Sequence, residues 1–283
     1  MRYWILPPCC CRSEVRSMPR KLASQDELPH PLPMVSHAFH KLFDAPVDTG
    51  VRTFDQPYLL YASSGAFHLE TESRTLLLLP HRAALIRKQW PLRIWTAGPA
   101  TSSSVLFDTV LDALLPEPCL VVPVSPLMVH MIGYAARWDL EGATRDPSSA
   151  VFLQALAHVA VDAARKPDPM WFPNAQSAEL RRAIAWTMKE LGSPLRFADV
   201  ASAAEVSERT LARRFADELG LSWQQFLKRV RLMHAAKLLT LTEKSVSEIA
   251  YETGMASSSA LASHFSKLMG ETPTQYRHRL HKK

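Results

Sequence analysis

The spacing of apolar positions changes character along the chain. Between residues 52 and 108 apolar residues come in short runs: 58–62, 66–70, 75–79, 83–86, 92–96 and 104–108. The run 58–62 stops at Ser63-Ser64-Gly65 and the run 75–79 at Pro80. Runs that restart about every 10 residues between turn signals predict a small all-β sandwich or barrel. After Pro126 the period lengthens. Residues 127–138 and 149–165 read as helices, the second capped by Ser148 or Ser149 and carrying Val151, Leu153, Leu156, Val159 and Ala160. Both are apolar around more than half their circumference, which predicts burial inside their domain or at a dimer interface. Prolines 167, 169 and 173 mark a linker. Ser177 then caps a helix running to Leu191 and closed by Gly192-Ser193-Pro194.

The next segment carries the strongest pattern. A short helix with Val200 and small Ala201 leads through a turn to Val206, and Ser207 caps a second helix whose inner face is Leu211 and Phe215. A small residue at Ala201 lets two helices cross closely, as a helix-turn-helix requires. With Leu211 and Phe215 inward, Arg209, Ala212 and Arg213 face outward near the helix start, the surface a recognition helix places in a major groove. The unit recurs. Ile249, Ala250, Gly254 and Met255 precede a helix capped by Ser257 or Ser258, with Leu261 and Phe265 inward. Ala201 and Ala250 are 49 residues apart, whereas Leu211 and Leu261 are 50 apart, so the second turn is one residue longer. Between the units, residues 223–241 form one long amphipathic helix that fixes the separation of the two recognition helices.

Charge gives this pattern a partner. The chain has 283 residues, 47% of them hydrophobic, and a formal net charge of +6. Residues 1–177 hold 16 Lys and Arg against 16 Asp and Glu. Residues 178–283 hold 17 against 11, so all the excess charge lies there. Nineteen of the 21 prolines fall in the first part. A neutral, proline-rich part therefore precedes a basic part suited to a polyanion. The boundaries expected are a disordered or extended leader and arm at 1–50, a β-rich front domain with helices at 51–166, a linker at 167–177 and a DNA-binding domain at 178–283. No apolar stretch approaches the ~18 residues of a transmembrane helix, and the start is too short and too proline-broken for a signal peptide. A cytoplasmic protein with no membrane partner is expected. Met18 is an alternative start.

Catalytic chemistry finds little support. Cys9, Cys10 and Cys11 are consecutive and Cys119 stands alone, so neither a disulfide framework nor a zinc pair is indicated. His30, His37, His40, His68 and His81 show no metal-ligand spacing, although His68 and Glu70 share one face of a strand. The expectation is no catalytic residue, no metal and no cofactor. A metal-dependent β-barrel enzyme and a constitutive architectural DNA binder remain as alternatives.

Residues 178–280 resemble the DNA-binding domain of AraC/XylS-type transcriptional regulators. The resemblance runs through Ser207-x3-Leu211-x3-Phe215, Gly220-x-Ser222, Arg231-Leu232-x2-Ala235-x2-Leu238-Leu239, Ser247-x-Ile249-Ala250-x3-Gly254, Phe265-x-Lys267 and Gly270-x2-Pro273-x2-Tyr276-Arg277. It implies an α+β multidomain fold: a cupin-like β-barrel with helices, then an all-α domain of two helix-turn-helix units joined by a long helix. It implies an effector-responsive regulator whose partners are double-stranded DNA, an unidentified small-molecule effector, a second copy of the chain and RNA polymerase. The residues this places at DNA are Ser207, Arg209, Thr210, Ala212, Arg213 and Arg214 in the first unit. In the second they are Ser258, Ser259, Ala262 and Ser263. Two departures stand out. Glu205 occupies a turn position where the family has glycine, so the backbone there either avoids the left-handed region or bears strain. Ser263 occupies a position where the family has arginine. Arginine is the commonest reader of guanine, so base reading is expected mainly from Arg209 and Arg213.

Overall fold

The computed structural model describes residues 34–108 and 110–281. Its first part is built on two five-stranded antiparallel sheets. One runs in the order β1 (His37–Phe43), β8 (Ala100–Leu106), β3 (Tyr58–Ser64), β6 (Arg82–Ile86), β9 (Cys119–Pro123). The other runs β10 (Trp171–Pro173), β5 (Arg74–Leu78), β4 (Phe67–Glu70), β7 (Leu92–Thr96), β2 (Asp48–Arg52). Each of the six apolar runs read from the sequence coincides with a strand to within two residues, and β8 begins four residues before its run, at Ala100. Their near-continuous hydrophobicity has a simple cause. Successive side chains point to opposite faces, and β3 is buried on both. Tyr58 and Leu60 pack with Phe67, Leu69, Leu76 and Ile86 between the sheets. Leu59 and Tyr61 pack on the other face with Leu85, Val105 and the helices.

Four helices accompany the sheets: α1 (Val110–Leu114), α2 (Pro126–Ala135), α3 (Leu140–Arg145) and α4 (Ser148–Ala163). Ser125 caps α2 by accepting from the Met128 N–H. The cap expected from Ser148 or Ser149 is not made. Pro147 occupies that position without a side-chain bond, and Asp146 Oδ1 instead accepts from the Ser148 N–H and hydroxyl. The inner faces of α2 and α4 are buried through Met128, Ile132, Leu153, Leu156 and Ala160, while Leu127, Tyr134 and Val151 stand exposed.

Two boundaries shift. Residues 1–33 of the expected arm, with Cys9, Cys10, Cys11, His30 and Met18, lie outside the described residues. Residues 37–50 are not an arm, because β1 pairs with β8 along its whole length and β2 pairs with β7. Their runs escaped a hydrophobic reading because both strands sit at sheet edges and bury little of their own surface. Residues 167–177 are not a free linker either. Trp171–Pro173 form β10 on β5, and buried Asp168 is ion-paired with buried Arg82. Proline is tolerated there because an edge strand has N–H positions that need no partner.

The second part is all helical: α5 (Ala178–Lys189), α6 (Phe197–Ala203), α7 (Glu208–Leu219), α8 (Trp223–Leu241), α9 (Val246–Glu252), α10 (Ser258–Met269) and α11 (Pro273–His281). Its core centres on Leu211, Phe215, Phe226, Val230, Leu261 and Phe265, and is continuous with Leu77, Leu79, Met170 and Phe172 of the sheet domain. Phe172 meets Phe226 edge-on at 5.7 Å. Arg229 of α8 donates to the carbonyls of Trp171 and of Pro169 (3.0 Å) and lies 4.4 Å over the Trp171 ring. The helical domain is thus packed on the sheet domain through α8.

Candidate nucleic-acid interface

The two helix-turn-helix units superpose in their bonding. In the first, Ala201 and Ala204 are buried under the crossing of α6 and α7. The Glu205 N–H donates to Ser202 O and the Val206 N–H to Ala201 O. Forty-nine residues on, the Gly254 N–H donates to Tyr251 O and the Met255 N–H to Ala250 O. Ser207 then caps α7 by accepting from the Thr210 N–H, and Ser257 caps α10 by accepting from the Ala260 N–H. The offset grows from 49 to 50 between these points, so the extra residue of the second turn is Ala256. The turn is left-handed in both units: φ is +66° at Gly254 and +60° at Glu205. The departure noted at Glu205 therefore does not reshape the turn; a non-glycine residue holds the left-handed backbone. Its carboxylate lies 3.5 Å from Arg182.

The residues singled out divide into groups. Arg209, Ala212 and Arg213 are exposed on one face of α7, and neither arginine makes an ion pair or hydrogen bond with another described residue. Ser207 and Thr210 face each other at 2.9 Å between their hydroxyls, part of the helix cap. Arg214 stands apart. It is half-buried on the flank of α7 against α5, 3.6 Å from Glu179 and 3.4 Å from Glu218. On α10, Ser259 and Ser263 are exposed, while Ser258 and Ala262 are half-buried. The Nδ1 of His264 is 2.8 Å from the Ala260 carbonyl, a bond within its own helix.

Long helix α8 spaces the two units. It is nineteen residues, about 28 Å at 1.5 Å per residue. A Ser222–Gln225 capping box fixes its start. Arg231 ties it to the end of α5, donating to Leu191 O at 3.1 Å and Ser193 O at 3.0 Å. This grip passes close to Gly254: a Cβ there would lie 2.6 Å from the Arg231 guanidinium.

Sequence reasoning missed this role for Arg231, which entered as part of a family motif, and the seam role of Arg229, which lay on an amphipathic helix with no local sign of its partners. The described histidines singled out in the sheet domain have other partners. His68 stacks on Trp95 at 3.8 Å, Glu70 accepts from Arg93, and His40 bonds Ser103. Among the described residues no group of three His, Cys, Asp or Glu is arranged to hold a metal ion. Cys119 is buried, and burial pushes its thiol up to about 12. No helix of the described residues is long and apolar enough to cross a membrane.

A helix-turn-helix family model matches residues 200–279, spanning both units. The C-terminal domain is an AraC-type helix-turn-helix domain. Over 106 residues the chain is 31% identical to the HTH-type transcriptional activator RhaR of Escherichia coli K12, which is 38% of this chain and 38% of that protein. An uncharacterised HTH-type transcriptional regulator of Staphylococcus aureus is 38% identical over 71 residues, 25% of this chain and 10% of that protein. The chain thus spans well under half the length of these relatives. Among solved structures, the DNA-binding domain of AdpA in complex with a target DNA is 33% identical, covering 36% of this chain and 93% of that one, at a TM-score of 0.35.

Proposed function

We propose that the protein is a sequence-specific DNA-binding transcriptional regulator. One subunit presents α7 and α10 to successive major grooves of a duplex, and the sheet domain controls when it does so. The observation that carries this reading is the AraC-type domain with its two equivalent, separately capped recognition helices on one rigid spacer. Major grooves on one face of a duplex repeat every ~34 Å, so a fixed spacer sets which sites are bound. Arg209 and Arg213 read bases, being exposed cations with no internal partner. Ala212 leaves the helix surface low enough for close approach. Ser258, Ser259, Ala262 and Ser263 make the weaker contacts of the second unit. Ser207 and Thr210 hold the helix start that delivers Arg209. Arg214 braces α7 on α5 rather than reaching a phosphate, because two carboxylates already neutralise it.

The sheet domain is proposed as a cupin-like regulatory unit that takes a small-molecule effector. The exposed Leu127, Tyr134 and Val151 on α2 and α4 suit a homodimer contact. RNA polymerase is the partner of the bound complex, and the protein acts in the cytoplasm without a resident cofactor. Selection of duplexes from a random DNA pool by the full chain tests the reading. One enriched sequence is expected, bound with an affinity that falls steeply with salt because phosphate contacts release counterions. A salt-insensitive affinity with no enriched sequence would overturn it.

A further inference from the structure

The two units are related by a shift of 50 residues, and the shift exposes a chemical reversal on one flank. In the first unit the flank of α7 that faces α5 carries Arg214 and Glu218, and α5 answers with Glu179. Glu218 also accepts from the backbone N–H groups of Gln176 and Ser177. That junction is closed by its own ion pairs. The positions 50 residues on are His264, Leu268 and, on α8, Arg229. The acids are gone and a cation stands where Glu179 stood. The reversal extends along the exposed stripe. Arg209, Arg213 and Asp217 in the first unit become Ser259, Ser263 and Lys267 in the second. The reading positions lose their charge, and the position at the C-terminal end gains one.

The result is an open cleft of about 300 Å³ between α8 and α10. Its wall is apolar, formed by Leu221, Leu232 and Leu268; Gln225, Lys228 and Arg229 rim it on one side and His264 and Lys267 on the other, with no carboxylate among its lining residues. Lys228 and Lys267 are exposed and make no ion pair with another described residue. Lys267 lies eight residues beyond Ser259 on the same stripe, about 12 Å along the helix. From the floor of a major groove ~12 Å wide the phosphates are about half that width away, so a helix that enters by its first turn carries its last turns past the floor to the side where the phosphates lie.

We infer that the cleft between α8 and α10 is a phosphate site, in which Lys228 and Lys267 together hold the DNA backbone beside the second major groove. This inference rests on the DNA-binding reading. The two units then divide the work: the first reads bases through arginine, and the second grips the backbone through lysine. Phosphate contacts carry no sequence information, so the site contributes affinity to every duplex alike.

The test measures binding of the full chain to its selected duplex and to an unrelated duplex, by fluorescence anisotropy across a salt series. Each phosphate contact contributes about 0.9 to the slope of log K against log salt. The double variant K228A/K267A is expected to lower that slope by about 2 on both duplexes and to leave the ratio between them unchanged. The charge-conserving pair K228R/K267R is expected to restore it, and unchanged circular dichroism shows that the fold is intact. A K228A/K267A slope equal to wild type on both duplexes overturns the site, as would be found if the cleft holds an acidic protein segment instead. If the wild-type chain binds neither duplex, the DNA-binding reading itself falls. That outcome is distinct from the other two.

Discussion

Glu205 and Gly254 occupy the same place in two copies of one turn, and they make opposite demands on a side chain. Glu205 holds φ at +60° with a side chain that is mostly exposed. A left-handed backbone costs a non-glycine residue roughly 1 kcal/mol, so Glu205→Gly is expected to raise stability by about 0.5–1 kcal/mol in urea unfolding. Gly254 has a similar φ, but a Cβ there would also meet the Arg231 guanidinium at 2.6 Å and Leu191 O at 3.0 Å. Gly254→Ala is expected to destabilise by more than about 1 kcal/mol. Equal effects of the two substitutions would refute the equivalence of the turns. His68 supplies a residue-level pH dependence. Burial, reinforced by Lys237, lowers its pKa to about 3 from the ordinary 6.5. Between those values the unfolded chain binds the extra proton and the folded chain does not. Stability conferred by the neutral ring is therefore complete above pH 6.5 and lost as pH falls below it, by at most ~1.4 kcal/mol per pH unit. His234, lowered by burial to about 4, acts in the same direction. His68→Phe keeps a ring on Trp95 and should flatten the urea-derived stability between pH 6.5 and 5. A slope as steep as wild type would exclude His68 as its source.

Elements with a strong apolar run or a long apolar period were legible in the sequence; weakly apolar edge strands were not, and the short buried edge strand β9 was missed with them. Helix α8 spans Trp223–Leu241, the limits its apolar period sets, because packing on both domains demands that pattern along its whole length. The six apolar strands were legible for the same reason: both faces of β3 and β6 are covered. Strands β1 and β2 were not, since one edge of each lies against solvent and their sequences mix His, Lys and Asp with apolar residues. Strand β10 was hidden by Pro169 and Pro173, which read as linker punctuation. Among the site residues, the outward facing of Arg209 and Arg213 followed from inward Leu211 and Phe215. The ion pair of Arg214 with Glu179 did not, because Glu179 lies on a different helix and no local spacing reports it; the pair with Glu218 stands at the i,i+4 helix spacing and was overlooked.

The whole molecule joins its two parts through a core rather than a tether. Phe172 of β10 packs on Phe226 of α8, and Arg229 donates to the carbonyl of Trp171 in that strand and to that of Pro169 just before it. Whatever moves β5 and β10 therefore moves the helix that spaces α7 and α10. Phe172→Ala removes a ring from this seam, and the lost burial together with the cavity left behind costs about 3–5 kcal/mol. The variant is expected to separate one calorimetric unfolding transition into two; a single unshifted transition would show that the seam does not couple the domains. The division of labour between the units is tested by selecting sites from a random DNA pool, at fixed salt, with wild type, R209A, R213A and S259A in parallel. R209A and R213A are each expected to relax one base preference and to cost about 1–3 kcal/mol on the wild-type site, while S259A selects the wild-type sequence. Unaltered preferences in both arginine variants, with loss of preference in S259A, would assign base reading to the second unit and contradict the first-unit assignment.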